Sequence, residues 1–201
     1  MLWDCIPLVD EAIAAAVEAR GGIDTVAISH PHYYSSMVEW ADRFDARIVL
    51  HEADQTWVMH PSERIEFWAG ERFVLSPKVE LHRLGGHFPG GTVCLWADGA
   101  GGRGALLTGD ILQVVSDRDW VSFMWSYPNL IPLPAAEVER IAARVAELEF
   151  ERLYGAWWPS RVEGDAKAKV SRSATRYVDA LTRVAESEGP SPGGGVARGE
   201  P

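Results

Sequence analysis

The chain has only two cysteines, Cys5 and Cys94. Each lies in an apolar, strand-like run, which argues against a disulfide framework and fits buried thiols in a reducing compartment. No apolar run reaches the roughly 18 residues of a membrane span, and no basic-plus-apolar leader is evident. No cluster of lysine or arginine interrupts a formal net charge of −10. Such a balance repels phosphate backbones and anionic membrane surfaces, so neither nucleic acid nor membrane is expected as a partner. A cytoplasmic protein acting on a small molecule is the expectation that remains.

Apolar and aromatic surface is plentiful. At 47% hydrophobic with nine tryptophans, the chain can build a sizeable core, so one domain over residues 1–188 is expected. The Gly/Pro/Ser/Glu-rich run 189–201 has too little apolar surface to offset the entropy of ordering and reads as a disordered tail. Strand-like and helical runs alternate at the start: Met1 to Ile6, then a helical Leu8 to Arg20 stopped by Gly21-Gly22, then a β-branched Thr25 to Ser29. Met37, Val38, Trp40, Ala41 and Phe44 form a helical face, and Arg47 to Leu50 a strand. This alternation is an α/β layer pattern. His51 to Trp68 reads as helix plus loop. From Glu71, four short runs separated by Gly, Pro and Asp read as a mainly antiparallel sheet. Glu137 to Leu148 and Gly164 to Glu186 read as helices flanking a last strand at Arg152 to Gly155.

The chemistry concentrates in Ser29-His30-Pro31-His32-Tyr33-Tyr34-Ser35-Ser36, between a strand and a helix. Pro31 fixes its own φ and drives His30 into extended geometry, so the two imidazoles sit on a stiff turn and can face one cavity. Imidazole nitrogen is a preferred ligand of zinc and its first-row neighbours. Two histidines do not complete a site, and on the residues alone the pair can also be hydrogen-bonded turn histidines. Further donors stand in Gly85-Gly86-His87-Phe88-Pro89-Gly90-Gly91 and in Leu106-Leu107-Thr108-Gly109-Asp110, where Asp110 can also be a helix cap or turn former. Ser35 fits as cap of the helix beginning near Met37, while His51, His60 and His82 lack partners at ligand spacing.

His-Pro-His at a strand end, Gly-Gly-His after a second block of strands and Thr-Gly-Asp at the end of the next, in that order, resemble the metallo-β-lactamase superfamily over about residues 1–186. The resemblance implies an αββα sandwich of the α/β (α+β) class, with metal bound at one edge of two facing sheets. It implies His30, His32 and His87 as ligands of a first metal and Asp110 as the carboxylate that faces or bridges a second. Three neutral imidazoles leave zinc an open position for water, whose pKa falls to about 7.

The sequence departs from the superfamily pattern in three places. The motif His-x-His-x-Asp-His ends here in Tyr34 and Ser35, and a phenol does not replace the aspartate as a ligand at ordinary pH. Tyr34 is expected instead to hydrogen-bond a metal-bound water or substrate, sharing the catalytic work with Asp110. The superfamily's last histidine has no counterpart: Tyr154-Gly155-Ala156-Trp157-Trp158 stands in its place, and no histidine follows His87. One ion is therefore expected, zinc before iron or manganese, with Asp110 as fourth ligand or outer partner. Members also place several strands before the Asp-bearing run that Leu2-Trp3-Asp4-Cys5 resembles. An N-terminally shortened sandwich is expected, its sheet edge covered by a missing segment or by a second copy in a homo-oligomer.

Two functions follow as expectations. One is a metal-dependent hydrolase that activates water for attack on an ester, thioester or lactam-like carbonyl, with Asp110 orienting it. The other is a domain of the same fold that has lost catalysis and binds a small molecule or a protein. An aromatic wall of Trp120, Phe123, Trp125, Tyr127, Trp157 and Trp158 would suit a hydrophobic ligand, although core packing accounts for the same residues more simply.

Overall fold

Strands whose alternate residues are both apolar can be covered on two faces, and two sheets are built this way. The computed structural model of the chain describes residues 1–187; the tail expected at 189–201 lies outside them. In the first sheet β1 (Leu2–Trp3), β2 (Thr25–Ala27), β3 (Arg47–His51) and β4 (Ile65–Trp68) run parallel in that order. Parallel neighbours need crossovers. Helix α1 (Glu11–Glu18) supplies the first, its start fixed by the Asp10 carboxylate, which accepts the Ile13 N–H at 2.7 Å. Helix α2 (Met37–Phe44) supplies the second and stops at Asp45 in the left-handed conformation.

The second sheet contains β5 (Arg72–Ser76), β6 (Val79–Arg83), β7 (Thr92–Trp96) and β8 (Ala105–Leu107), with a distorted turn, α3 (Gly99–Gly102), before β8. Two short ladders follow, β9 (Gln113–Val114) with β10 (Val121–Ser122) and β11 (Met124–Ser126) with β12 (Ile131–Pro132). Helix α4 (Ala135–Ala146), strands β13 (Arg152–Tyr154) and β14 (Arg161–Val162) and helix α5 (Ala166–Ser187) complete the described chain. The sheet order is β14-β13-β8-β7-β6-β5, antiparallel except where β13 lies parallel to β8.

Period-two alternation sorts these side chains into three apolar layers. Val26, Ile28, Ile48 and Leu50 face α1 and α2. Their neighbours Ala27 and Val49 face inward, where they join Trp68, Leu81 and Cys94 between the sheets. On the far side Val93, Leu106 and Leu153 pack with Val138, Ile141 and Val170 of α4 and α5. The expected αββα sandwich is thus observed, and both cysteines are free and buried.

Two local readings are corrected. His51 to Trp68 is not helix plus loop throughout: after a 3-10 turn at Glu52–Trp57, Ile65–Trp68 adds the fourth strand to the first sheet. The residue preceding α2 is Ser36, and neither it nor the exposed Ser35 caps the helix by a side-chain bond. Ser36 Oγ instead donates to the Ile6 carbonyl at 2.7 Å, which also accepts Trp40 Nε1–H at 3.0 Å. Trp40 is almost wholly buried against the first sheet. Trp40→Ala is therefore expected to cost about 3–5 kcal/mol, read as a lower urea midpoint at unchanged slope.

Candidate metal centre

The C-terminal ends of β2 and β8 and the β6–β7 turn meet at one edge of the sandwich. His30 follows β2 in extended backbone, and Pro31–Tyr33 closes a single 3-10 turn that brings His32 back toward it. Gly85 and Gly86 take left-handed φ values of +67° and +82°, which lets the β6–β7 turn present His87. A Cβ on Gly86 would lie 2.8 Å from Ile141 Cδ1, so this turn also rests directly on α4. Asp110 follows β8, where the Thr108 N–H bonds the Tyr154 carbonyl at 2.9 Å.

These four residues converge. One ligand atom from each of His30, His32, His87 and Asp110 lies within 4.8 Å of the others. His30 Nε2 is 3.2 Å from His32 Nδ1 and 3.5 Å from Asp110 Oδ2, and His87 Nε2 is 3.5 Å from His32 Nδ1. His32 is the exposed member, so the group opens to solvent on its side.

The partners outside this group set the histidine tautomers. His87 Nδ1 lies 2.9 Å from the Trp125 carbonyl, which can only accept, so the proton sits on Nδ1 and Nε2 keeps its lone pair. Ser29 Oγ donates to Asp4 Oδ2 at 3.0 Å and lies 2.8 Å from His30 Nδ1. The Ser29 hydroxyl proton being engaged, His30 Nδ1–H donates to Ser29 Oγ and His30 Nε2 is free toward the group. Asp4 Oδ1 also accepts the Ser29 N–H at 2.7 Å. Burial pushes the Asp4 carboxyl up to about 6 against those hydrogen bonds and the nearby His30. Burial, reinforced by His30, pushes the His87 imidazole down to about 4, and burial lowers His32 as well. Neutral imidazoles are the form a metal requires.

Aromatic rings enclose the histidines. Phe88 is centred 5.0–5.5 Å from each of the three rings, Tyr33 5.1 Å from His30 and Tyr127 5.2 Å from His87. The Tyr127 hydroxyl donates to the Asp110 carbonyl at 2.6 Å. Tyr34 is placed elsewhere, in the apolar cluster with Cys5, Met37 and Val38, so of the two adjacent tyrosines it is Tyr33 whose ring meets His30. Of the expected aromatic wall, Trp125 and Tyr127 are the members that touch the group, through His87 and Asp110. Phe123 is fully buried, Trp120 carries the Arg176 guanidinium 4.3 Å above its ring, and Trp157 and Trp158 are exposed. His51 and His82 serve locally, the first bonding Gly70 and Ala53, the second Glu80.

No protein-family model matches the chain. The uncharacterized protein YmaE of Bacillus subtilis (strain 168) is 53% identical over 181 residues, covering 90% of this chain and 66% of YmaE, so the chain spans just under two thirds of that relative. Among solved structures, a B3 metallo-β-lactamase with an active-site glutamic acid superposes with a TM-score of 0.60 at 17% identity, over 94% of this chain and 81% of that one. The metallo-β-lactamase SMB-1, in complex with mercaptoacetic acid, gives 0.58 at 17% identity, over 89% and 82%. The subclass B3 enzyme BJP-1 of Bradyrhizobium japonicum gives 0.55 at 16%, over 92% and 83%. At such identities the likeness speaks for architecture, and the architecture it establishes for this chain is the metallo-β-lactamase fold.

Proposed function

We propose that the chain is a metal-dependent hydrolase in which one ion is held by His30, His32 and His87 with Asp110 beside it. The observation that carries this reading is the convergence of four donor atoms within 4.8 Å, two of the imidazoles having their remaining ring nitrogen committed to outer partners. The donor set fits a first-row divalent metal: three neutral nitrogens and one carboxylate suit zinc, iron or manganese. Such an ion supplies a Lewis acid and lowers the pKa of water toward about 7.

The chain's own residues do the rest. Asp110 is anchored through its carbonyl by Tyr127, and its carboxylate faces the histidines. There it accepts a hydrogen bond from the attacking water and holds the proton that water releases. Phe88, Tyr33 and Tyr127 exclude bulk water from the buried side, which strengthens these polar contacts. Esters, thioesters and lactam-like carbonyls are the substrates this arrangement suits.

Metal content by elemental mass spectrometry, on protein purified without chelator, is the test. About one zinc, iron or manganese per chain is expected. At about a hundred times its dissociation constant, that metal should add about 2.7 kcal/mol of stability, visible as a raised melting temperature. Absence of metal after attempted loading with all three would overturn the reading. Metal without turnover of any ester, thioester or lactam would favour the binding-domain alternative.

A further inference from the structure

The exposed ligand, His32, marks the open side of the metal centre. The Phe88 ring stands perpendicular to His32 at 5.0 Å, and the Trp57 ring stands perpendicular to Phe88 at 5.7 Å. Trp57 ends the 3-10 turn that leaves β3, and β3 runs parallel to β2, so turn and ligands share one end of the sheet. Yet Trp57 is 53% exposed and Met59, two residues on, is 88% exposed. Trp125, whose carbonyl fixes His87, is 55% exposed and lines a different cleft, on the His87 side. A single exposed apolar side chain means little, but a contiguous exposed apolar patch marks a contact or ligand-binding surface. Here the apolar surface is continuous, ring to ring, with the metal ligands.

The charges around the centre point the same way. Among the described residues no lysine or arginine is hydrogen-bonded or ion-paired to His30, His32, His87 or Asp110, while Asp4 lies just behind His30. Arg83, Arg140 and Arg144 line a cleft of about 630 Å³ that takes in His87 and Trp125 but none of the other three ligands. All three are already paired with Glu71 or Glu137. An anionic substrate group finds no partner at the open side, whereas an apolar one finds the Trp57 indole and the Phe88 phenyl ring.

We propose that Trp57 and Phe88 form a shelf beside the open side of the metal centre, and that the substrate carries a neutral apolar acyl or aryl group which lies against these two rings. This rests on the hydrolase reading for the word substrate, but the apolar shelf can be measured apart from turnover. In titrations of the full, metal-loaded chain with the neutral fluorophore N-phenylnaphthylamine, Trp57→Ala should weaken binding about tenfold and Trp57→Phe much less. Trp96→Ala, which removes a comparably exposed tryptophan on β7, should leave it unchanged. With p-nitrophenyl octanoate and acetate, the ratio of kcat/KM for the longer over the shorter ester should fall about tenfold in Trp57→Ala. Turnover with neither the ratio nor the probe affinity moved by Trp57→Ala overturns the shelf and leaves the hydrolase reading standing. Probe binding that depends on Trp57, with no ester, thioester or lactam turned over, leaves the shelf and removes the hydrolase. A concentration-dependent dimer lost in Trp57→Ala, with probe affinity unchanged, assigns the surface to a second copy of the chain and overturns the proposal.

Discussion

His87→Ala should leave the purified chain with well under one bound metal ion per chain, against about one in the parent. The expectation follows from how the donors are distributed. His30 and His32 come from one turn after β2, at the edge of the first sheet. His87 and Asp110 come from the second sheet, and only His87 adds a third nitrogen. Without it, two imidazoles and one carboxylate remain, a set that matches catalytic zinc sites in number, but one of four donors is gone, and with it the nitrogen that ties the His30–His32 turn to the second sheet, so the ion is held far more weakly. The loss should exceed the roughly 10–100-fold that follows from removing an outer partner of a ligand. The substitution also deprives the Trp125 carbonyl of its donor, which costs about 1 kcal/mol of stability in the metal-free chain. A chelator competition titration gives the affinity, and far-ultraviolet circular dichroism checks that the fold persists. His82→Ala is the matched control: that histidine is also buried in the second sheet but bonds Glu80, so its removal should leave metal content unchanged. Parental metal affinity in His87→Ala would show that the four donors do not act as one site.

Much of this arrangement can be read from the chain without coordinates, and the parts that cannot share a physical cause. The runs around Val26, Ile48, Val93 and Leu106 announce themselves as strands because both of their faces are apolar, as a buried sheet demands. His30, His32, His87 and Asp110 stand at the ends of such runs, so their convergence follows once the sheets face each other. Ile65–Trp68 is harder, because Glu66 interrupts it and its place in the sheet is settled by pairing with β3, which is not a local property. The choice between Tyr33 and Tyr34 turns on a single 3-10 step, where neighbours point about 120° apart. The sequence pattern shows two adjacent phenols; only the turn shows which one meets His30. The aromatic stretch from Trp120 divides likewise, with Phe123 going into the core while Trp125 reaches the rim. The Asp4–Ser29–His30 chain is least legible. It exists because β1 and β2 end side by side, and its one sequence signal is an aspartate at the end of a short apolar run.

Gly109→Ala tests whether that chain orients His30. Gly109 has φ +51°, and a Cβ there would lie 2.4 Å from Ser29 Oγ, 2.8 Å from Ser29 Cβ and 3.3 Å from Asp4 Oδ2. Ser29 cannot simply withdraw. Its N–H is held by Asp4 Oδ1, its hydroxyl lies between Asp4 Oδ2 and His30 Nδ1, and its carbonyl accepts the Thr92 N–H at 2.9 Å from the second sheet. An added methyl group must therefore either break the Ser29 bridge, freeing the His30 ring to turn, or swing the chain at Gly109 and carry Asp110 with it. Both routes move a ligand. Metal affinity should fall roughly 10–100-fold, the usual cost of losing an outer partner. The left-handed backbone adds about 1–2 kcal/mol of destabilisation on its own. Gly21→Ala separates the two effects: Gly21 has φ +100° with nothing within 4 Å of an added Cβ, in the turn after α1. That variant should lose stability and keep its metal. If Gly109→Ala binds metal as the parent does, the Ser29 bridge is packing between two strand ends and His30 is oriented by the Pro31 turn alone.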